Sequence, residues 1–94
     1  MNYEKYLPIG TVVMLKGGKK RAMITGFCAY KDEKKEKLYD YSACLYPEGL
    51  FMPDQLLLFD HDQIGEVFHM GLIDEEEKEF KKKLKEMIDN IKWV

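Results

Sequence analysis

The chain has 94 residues, 46% hydrophobic and 34% charged, with a formal net charge of -2. That is enough for one small globular domain and too little for two, and most of the sequence must serve a single core. A weakly acidic chain with one arginine, Arg21, is not a generic phosphate binder, because nucleic-acid affinity comes chiefly from lysines and arginines that displace counterions.

No apolar run approaches the roughly 20 residues that cross a bilayer, and Met1-Asn2-Tyr3-Glu4-Lys5-Tyr6 lacks the order of a signal peptide. A cytoplasmic chain without a membrane association is expected. The two cysteines, Cys28 and Cys44, are expected to be small buried hydrophobes in a reducing compartment. Charge is segregated: residues 1–37 are net +5, residues 38–73 net −6 and residues 74–94 net −1. The two large segments either cancel against each other in the fold, the simpler reading, or present separate faces.

In chain order, Leu7-Pro8-Ile9-Gly10 opens with turn signals. Thr11–Lys16 then reads as a strand, closed by the hairpin dipeptide Gly17-Gly18. The return strand runs from Arg21 to about Tyr30, with Ala22, Ile24, Gly26 and Cys28 on one face and Met23, Thr25, Phe27 and Ala29 on the other. Gly26 marks a bulge or bend. The charged run 31–37 is expected at an exposed tip.

Leu38–Tyr46 alternates as a half-buried strand, and Pro47-Glu48-Gly49 turns the chain. Gln55–Phe59 reads as a short buried strand, Asp60–Ile64 as a turn or single helical turn capped by an Asp, and Glu66–Met70 as a last strand ending at Gly71.

From Asp74 the period changes to that of a helix over 74–92, with Asp74 and Glu77 in capping-box spacing and acids in the first turn. Phe80, Leu84, Met87, Ile88 and Ile91 make one apolar stripe, opposite wet-side pairs Glu77/Lys81 and Glu79/Lys83. The stripe docks on the chain's own β region or on a partner, the former being the simpler reading. The expected fold is α+β: one domain over 1–94, with about five short antiparallel strands over 7–71 in a bent sheet or small open SH3-like barrel, and one C-terminal amphipathic helix.

No nucleophile–base signature, metal spacing or phosphate loop is present. Asp60-His61-Asp62 has metal-binding residue types but fits capping better, and Gly17-Gly18-Lys19-Lys20-Arg21 lacks the phosphate-loop pattern. The expectation is a protein that is not an enzyme and takes no cofactor or metal. Six tyrosines, five phenylalanines and one tryptophan exceed what a small core readily conceals. Tyr3, Tyr6, Tyr30, Tyr46 and Trp93, with Phe80, Leu84, Met87 and Ile91 of the helical stripe, are the candidate partner-binding residues. A rival reading is a small-barrel nucleic-acid binder using Lys16, Lys19, Lys20 and Arg21 with Tyr30 for stacking.

The order Leu7-Pro8-Ile9-Gly10-Thr11-Val12-Val13-x-Leu15-Lys16-Gly17-Gly18, Met23-Ile24-x-Gly26, Tyr39-Asp40-Tyr41, Tyr46-Pro47-Glu48-Gly49, Phe59-x-His61-x-x-Ile64 and Gly71 resembles a family. It is that of the small Gram-positive bacterial proteins, catalogued as a domain of unknown function, that are encoded beside LXG toxins of the type VII secretion system. The resemblance implies a cytoplasmic accessory or chaperone-like protein that binds a cognate LXG toxin and supports its export. An immunity protein against that toxin is a close variant. The resemblance carries no catalytic residues, and Cys28 and Ala43-Cys44 depart from the family's pattern.

Overall fold

The computed structural model describes residues 6–30, 34, 36–52 and 55–92, although not the side chains of 91 and 92. Five strands, β1 (Val12–Leu15), β2 (Arg21–Tyr30), β3 (Leu38–Leu45), β4 (Leu57–Phe59) and β5 (Ile64–His69), precede one helix, α1 (Glu75–Lys92). The strands form one antiparallel sheet in the order β4-β3-β2-β1-β5, and the edge strands β4 and β5 do not meet, so the sheet stays open. The expected α+β class and the five strands hold.

Local chemistry explains the corners. The β1–β2 hairpin turns at Gly17, whose φ of 75° is costly for residues with a Cβ, and the Gly18 N–H donates to the Leu15 carbonyl at 2.9 Å. At the far end of β5, Gly71 passes so close to Ile9 that a Cβ there would lie 2.2 Å from the Ile9 carbonyl oxygen. Its N–H is held by the buried Thr11 hydroxyl at 3.0 Å. Asp74 caps α1 by accepting the Glu77 N–H at 2.9 Å, and Glu77 pairs with Lys81 at 2.8 Å, both as the spacing predicts, but the pair is half-buried and not on the expected wet side. Glu79 pairs with Lys82 at 3.2 Å, one residue before the expected Lys83.

β2 departs from simple alternation. The register with β3 shifts between Ile24 and Gly26, and Cys28 has φ 54°, an uncommon conformation for a residue with a Cβ. The bulge fits the reading of Gly26. It also corrects the expected faces: Phe27, assigned opposite Ile24, turns onto the core beside Tyr41, with ring centroids 6.1 Å apart.

The core lies on one face of the sheet, where Val13, Ala22, Ile24, Tyr41, Ala43 and Phe59 meet Tyr6 and the helical Leu84 and Ile88. The helix therefore docks on its own sheet, with Leu84 and Ile88 no more than 2% exposed, whereas Phe80 and Met87 keep 42% and 50% of their surface. Leu84→Ala should cost about 3 kcal/mol in urea denaturation through lost burial and the cavity left behind. Met87→Ala should change stability by no more than about 0.5 kcal/mol. Equal effects would mean that the helix does not dock this way.

Candidate functional site

A polar junction fixes the segment before β1. The Tyr6 hydroxyl donates to Asp40 Oδ1 at 2.9 Å, and Asp40 Oδ2 accepts the His61 backbone N–H at 2.9 Å. The Tyr41 hydroxyl accepts the Leu7 N–H at 3.0 Å and lies 2.7 Å from His61 Nδ1. The tautomer of His61 sets which of the two donates. Asp60 precedes a 3-10 turn, His61–Gln63, with its N–H donating to Gln63 Oε1 at 2.8 Å, and its carboxylate accepts the Asp40 N–H and pairs with Lys37 at 3.0 Å. Asp60 and His61 thus serve capping and tethering. Among the described residues no three His, Cys, Asp or Glu side chains could hold a metal ion.

This junction corrects one candidate: Tyr6 is 1% exposed and belongs to the core, not to a contact surface. Burial, then the hydrogen bond to Asp40, pushes its phenol well above its ordinary value, and burial pushes Tyr41 up to about 12. Leu84 is corrected likewise, because the sheet itself needs the centre of the helical stripe. Tyr3 and Trp93, and the side chain of Ile91, lie outside the described residues. Tyr30 and Tyr46 are each 37% exposed, but Tyr30 ends β2 while Tyr46 sits beside its first residue. At about 3.3 Å per residue the two rings are too far apart for one site. For the same reason Arg21 and Tyr30 are not assembled as the nucleic-acid reading needs, and Lys20 is paired with Glu48 at 2.7 Å.

The helix leaves the other face of the sheet uncovered. There Val12 lies opposite Met23, and Met23 opposite Cys44, in a row across the three central strands. Val12 and Cys44 are nearly closed off by their neighbours, at 6% and 4% exposure. Around this floor a groove of about 480 Å³ is walled by Arg21 and Tyr46 on one side and Phe68 and His69 on the other, with Gly10 at its end. The Arg21 guanidinium carbon stands 5.0 Å from the centre of the Tyr46 ring. A register shift in β5 sets Val13 opposite Val67 and Val12 opposite His69, so Phe68 is the extra residue and reaches the groove together with His69. Phe68 keeps 48% of its surface.

A second depression of about 380 Å³ lies at the start of α1, with Ile9, Phe27, Leu72 and Phe80 as its apolar part and Asp74, Glu76 and Glu77 as an acidic rim. Phe80 packs against Phe27 with ring centroids 6.0 Å apart and, of the helical candidates, lines this depression. Met87 stands apart on the exposed helix surface.

Of the outer groove, sequence reasoning singled out Tyr46 and weighed Arg21 with the lysines. It missed Met23, Phe68 and His69, which come together only once β5 is known to pair with β1 and to bulge. The profile of a family described as Domain of unknown function (DUF4176) matches residues 6–80, most of the chain and the whole β region. The chain belongs to the DUF4176 family. No curated protein and no solved structure matches it. Its family segment therefore holds both walls of the outer groove and the polar junction, and stops within α1. No helix among the described residues is long and apolar enough to cross a membrane.

The phenols of the junction give the fold an alkaline limit. Tyr41 is raised from 10 to about 12 on folding, so its contribution is whole below pH 10 and is lost as pH rises toward about 12. The urea midpoint should fall across that window. In Tyr41→Phe the fall should be shallower, though the variant starts from a lower midpoint. Parallel pH profiles for the two proteins would refute this.

Proposed function

We propose that this DUF4176 protein is a non-enzymatic accessory or chaperone-like factor of the cytoplasm that binds a cognate LXG toxin and supports its type VII export. The observation that carries the reading is the uncovered sheet face, an apolar floor between the aromatic walls Tyr46 and Phe68. A monomer gains nothing by leaving such rings in water, whereas large, stiff aromatic side chains around a preformed groove are what protein interfaces use as anchors. Further apolar exposure supports the same reading: Phe51 at 77% in the loop before β4, and Leu72 at 74% before α1. The resemblance to proteins encoded beside LXG toxins supplies the identity of the partner.

An immunity role would use the same kind of surface, and the two are separated by what binding achieves. The test is co-expression of the tagged chain with the LXG toxin encoded beside it. The toxin should be retained on the tag, and its secretion should fall when the chain is deleted. Replacing both Tyr46 and Phe68 by Ala should lower the affinity at least about tenfold, because such residues are the anchors of the surface. Rescue of toxicity with unchanged secretion would assign the immunity role, and full retention by the double variant would place the contact elsewhere.

A further inference from the structure

The chemistry of the partner segment is readable from Arg21, the chain's only arginine. Its guanidinium lies on the Tyr46 ring, and that pairing is set by the backbone: Ala22 is opposite Leu45, and the Tyr46 N–H donates to the Arg21 carbonyl at 2.9 Å. At 5.0 Å from the ring centre the guanidinium is within cation–π range, and a ring, which accepts no in-plane hydrogen bonds, leaves N–H donors of the fork for a planar acceptor.

Among the described residues no carboxylate lines the groove and Arg21 forms no direct ion pair. Glu48 at this corner is paired with Lys20 at 2.7 Å and also feels the charge of Arg21, which adds to the lowering of its carboxyl pKa, and the opposite wall contributes His69. The groove therefore joins one cation, held over a ring and outside any direct ion pair among the described residues, to an apolar floor.

We propose that the outer groove binds an extended, carboxylate-bearing apolar segment of the partner protein. One acid of that segment sits on the Arg21 fork, and a neighbouring apolar side chain lies over Met23 between Tyr46 and Phe68. The proposal rests on the docking role given above to this face. A fork matches a carboxylate in two parallel hydrogen bonds, which one lysine cannot do. A nucleic acid would instead need a line of cations along its backbone, and the lysines of the neighbouring hairpin do not line the groove. A space of about 480 Å³ takes a few side chains and not a helix.

The test is an NMR titration of the full chain with a short blocked peptide in which Glu alternates with Leu and Phe. Its controls are a twin carrying Gln for each Glu, a twin carrying Lys, and oligothymidylate. The acidic peptide should shift the amides of Val12, Met23, Tyr46 and Phe68. Its affinity should drop roughly ten- to a hundredfold in Arg21→Gln, and comparably for the Gln twin, as expected for one lost charge-assisted pair. Arg21→Lys should fall between. Arg21 is exposed, so its variants should keep the wild-type spectrum outside the groove.

Equal binding of the Gln twin, indifference to Arg21→Gln, shifts that map to another face, tighter binding of oligothymidylate, or binding of no peptide would each overturn the proposal. Retention of the toxin by Arg21→Gln at the wild-type level would overturn it while leaving the docking role intact. Specific acidic-peptide binding without toxin retention would do the reverse, keeping this groove chemistry and removing the toxin as its partner.

Discussion

One helix can cover one face of a sheet, and in this chain that limit decides which surface is left for other work. The stripe of α1 has its centre at Leu84 and Ile88, which complete the core formed by Val13, Ile24, Tyr41 and Phe59. Strand side chains alternate, so the same strands that feed this core must send Val12, Met23 and Cys44 the other way. Closing the sheet into a barrel would not have buried both sets, because inward- and outward-facing residues alternate along every strand. The one helix packs on the core face, so the second set has its neighbours for cover. The nearly complete burial of Val12 and Cys44 there comes from the larger side chains around them, and those larger side chains are what remains in contact with water.

Holding an open sheet in one shape takes more than apolar contact, and the polar junction supplies it. Asp40 accepts from Tyr6 before β1 and from His61 after β4, while Tyr41, the next residue of β3, takes the Leu7 N–H and reaches the His61 ring. Two adjacent residues of one strand thus tie down segments twenty or more positions away in each direction. A polar network of this kind is stabilising only when every member finds a partner, which makes its geometry strict. The same strands carry the outer face, so the junction also fixes the floor against which a partner would dock.

Much of the architecture was legible because it is written in local chemistry. Gly17-Gly18, Pro47-Glu48-Gly49 and the Asp74 cap each act within a few residues, and the structure has a corner or a helix start at each. What was not legible depends on pairing between distant segments. Gly26 marks the bulge in β2, but alternation counted through it keeps Phe27 opposite Ile24, and only the register with β3 moves Phe27 onto the core face. Tyr6 looks like an interface tyrosine until Asp40, thirty-four positions on, is known to be its partner. Phe68 and His69, adjacent in a strand, should point to opposite faces; only the shift against β1 brings both to one groove.

The segregation of charge along the chain resolves in a similar way. Lys20 meets Glu48 and Lys37 meets Asp60, each joining the basic first segment to the acidic middle one, so cancellation operates at the ends of the strands. These pairs are exposed and contribute little to stability. Their effect is on the field: Lys20 is matched by Glu48, while Arg21 is the cation that lines the outer groove. Arg21 lies over a ring, with Glu48 paired to Lys20 and only within reach of its charge, and a ring holds a guanidinium without neutralising it. A weakly acidic protein can in this way present a locally cationic, apolar groove, and the sign of its net charge says little about the sign of what it would hold.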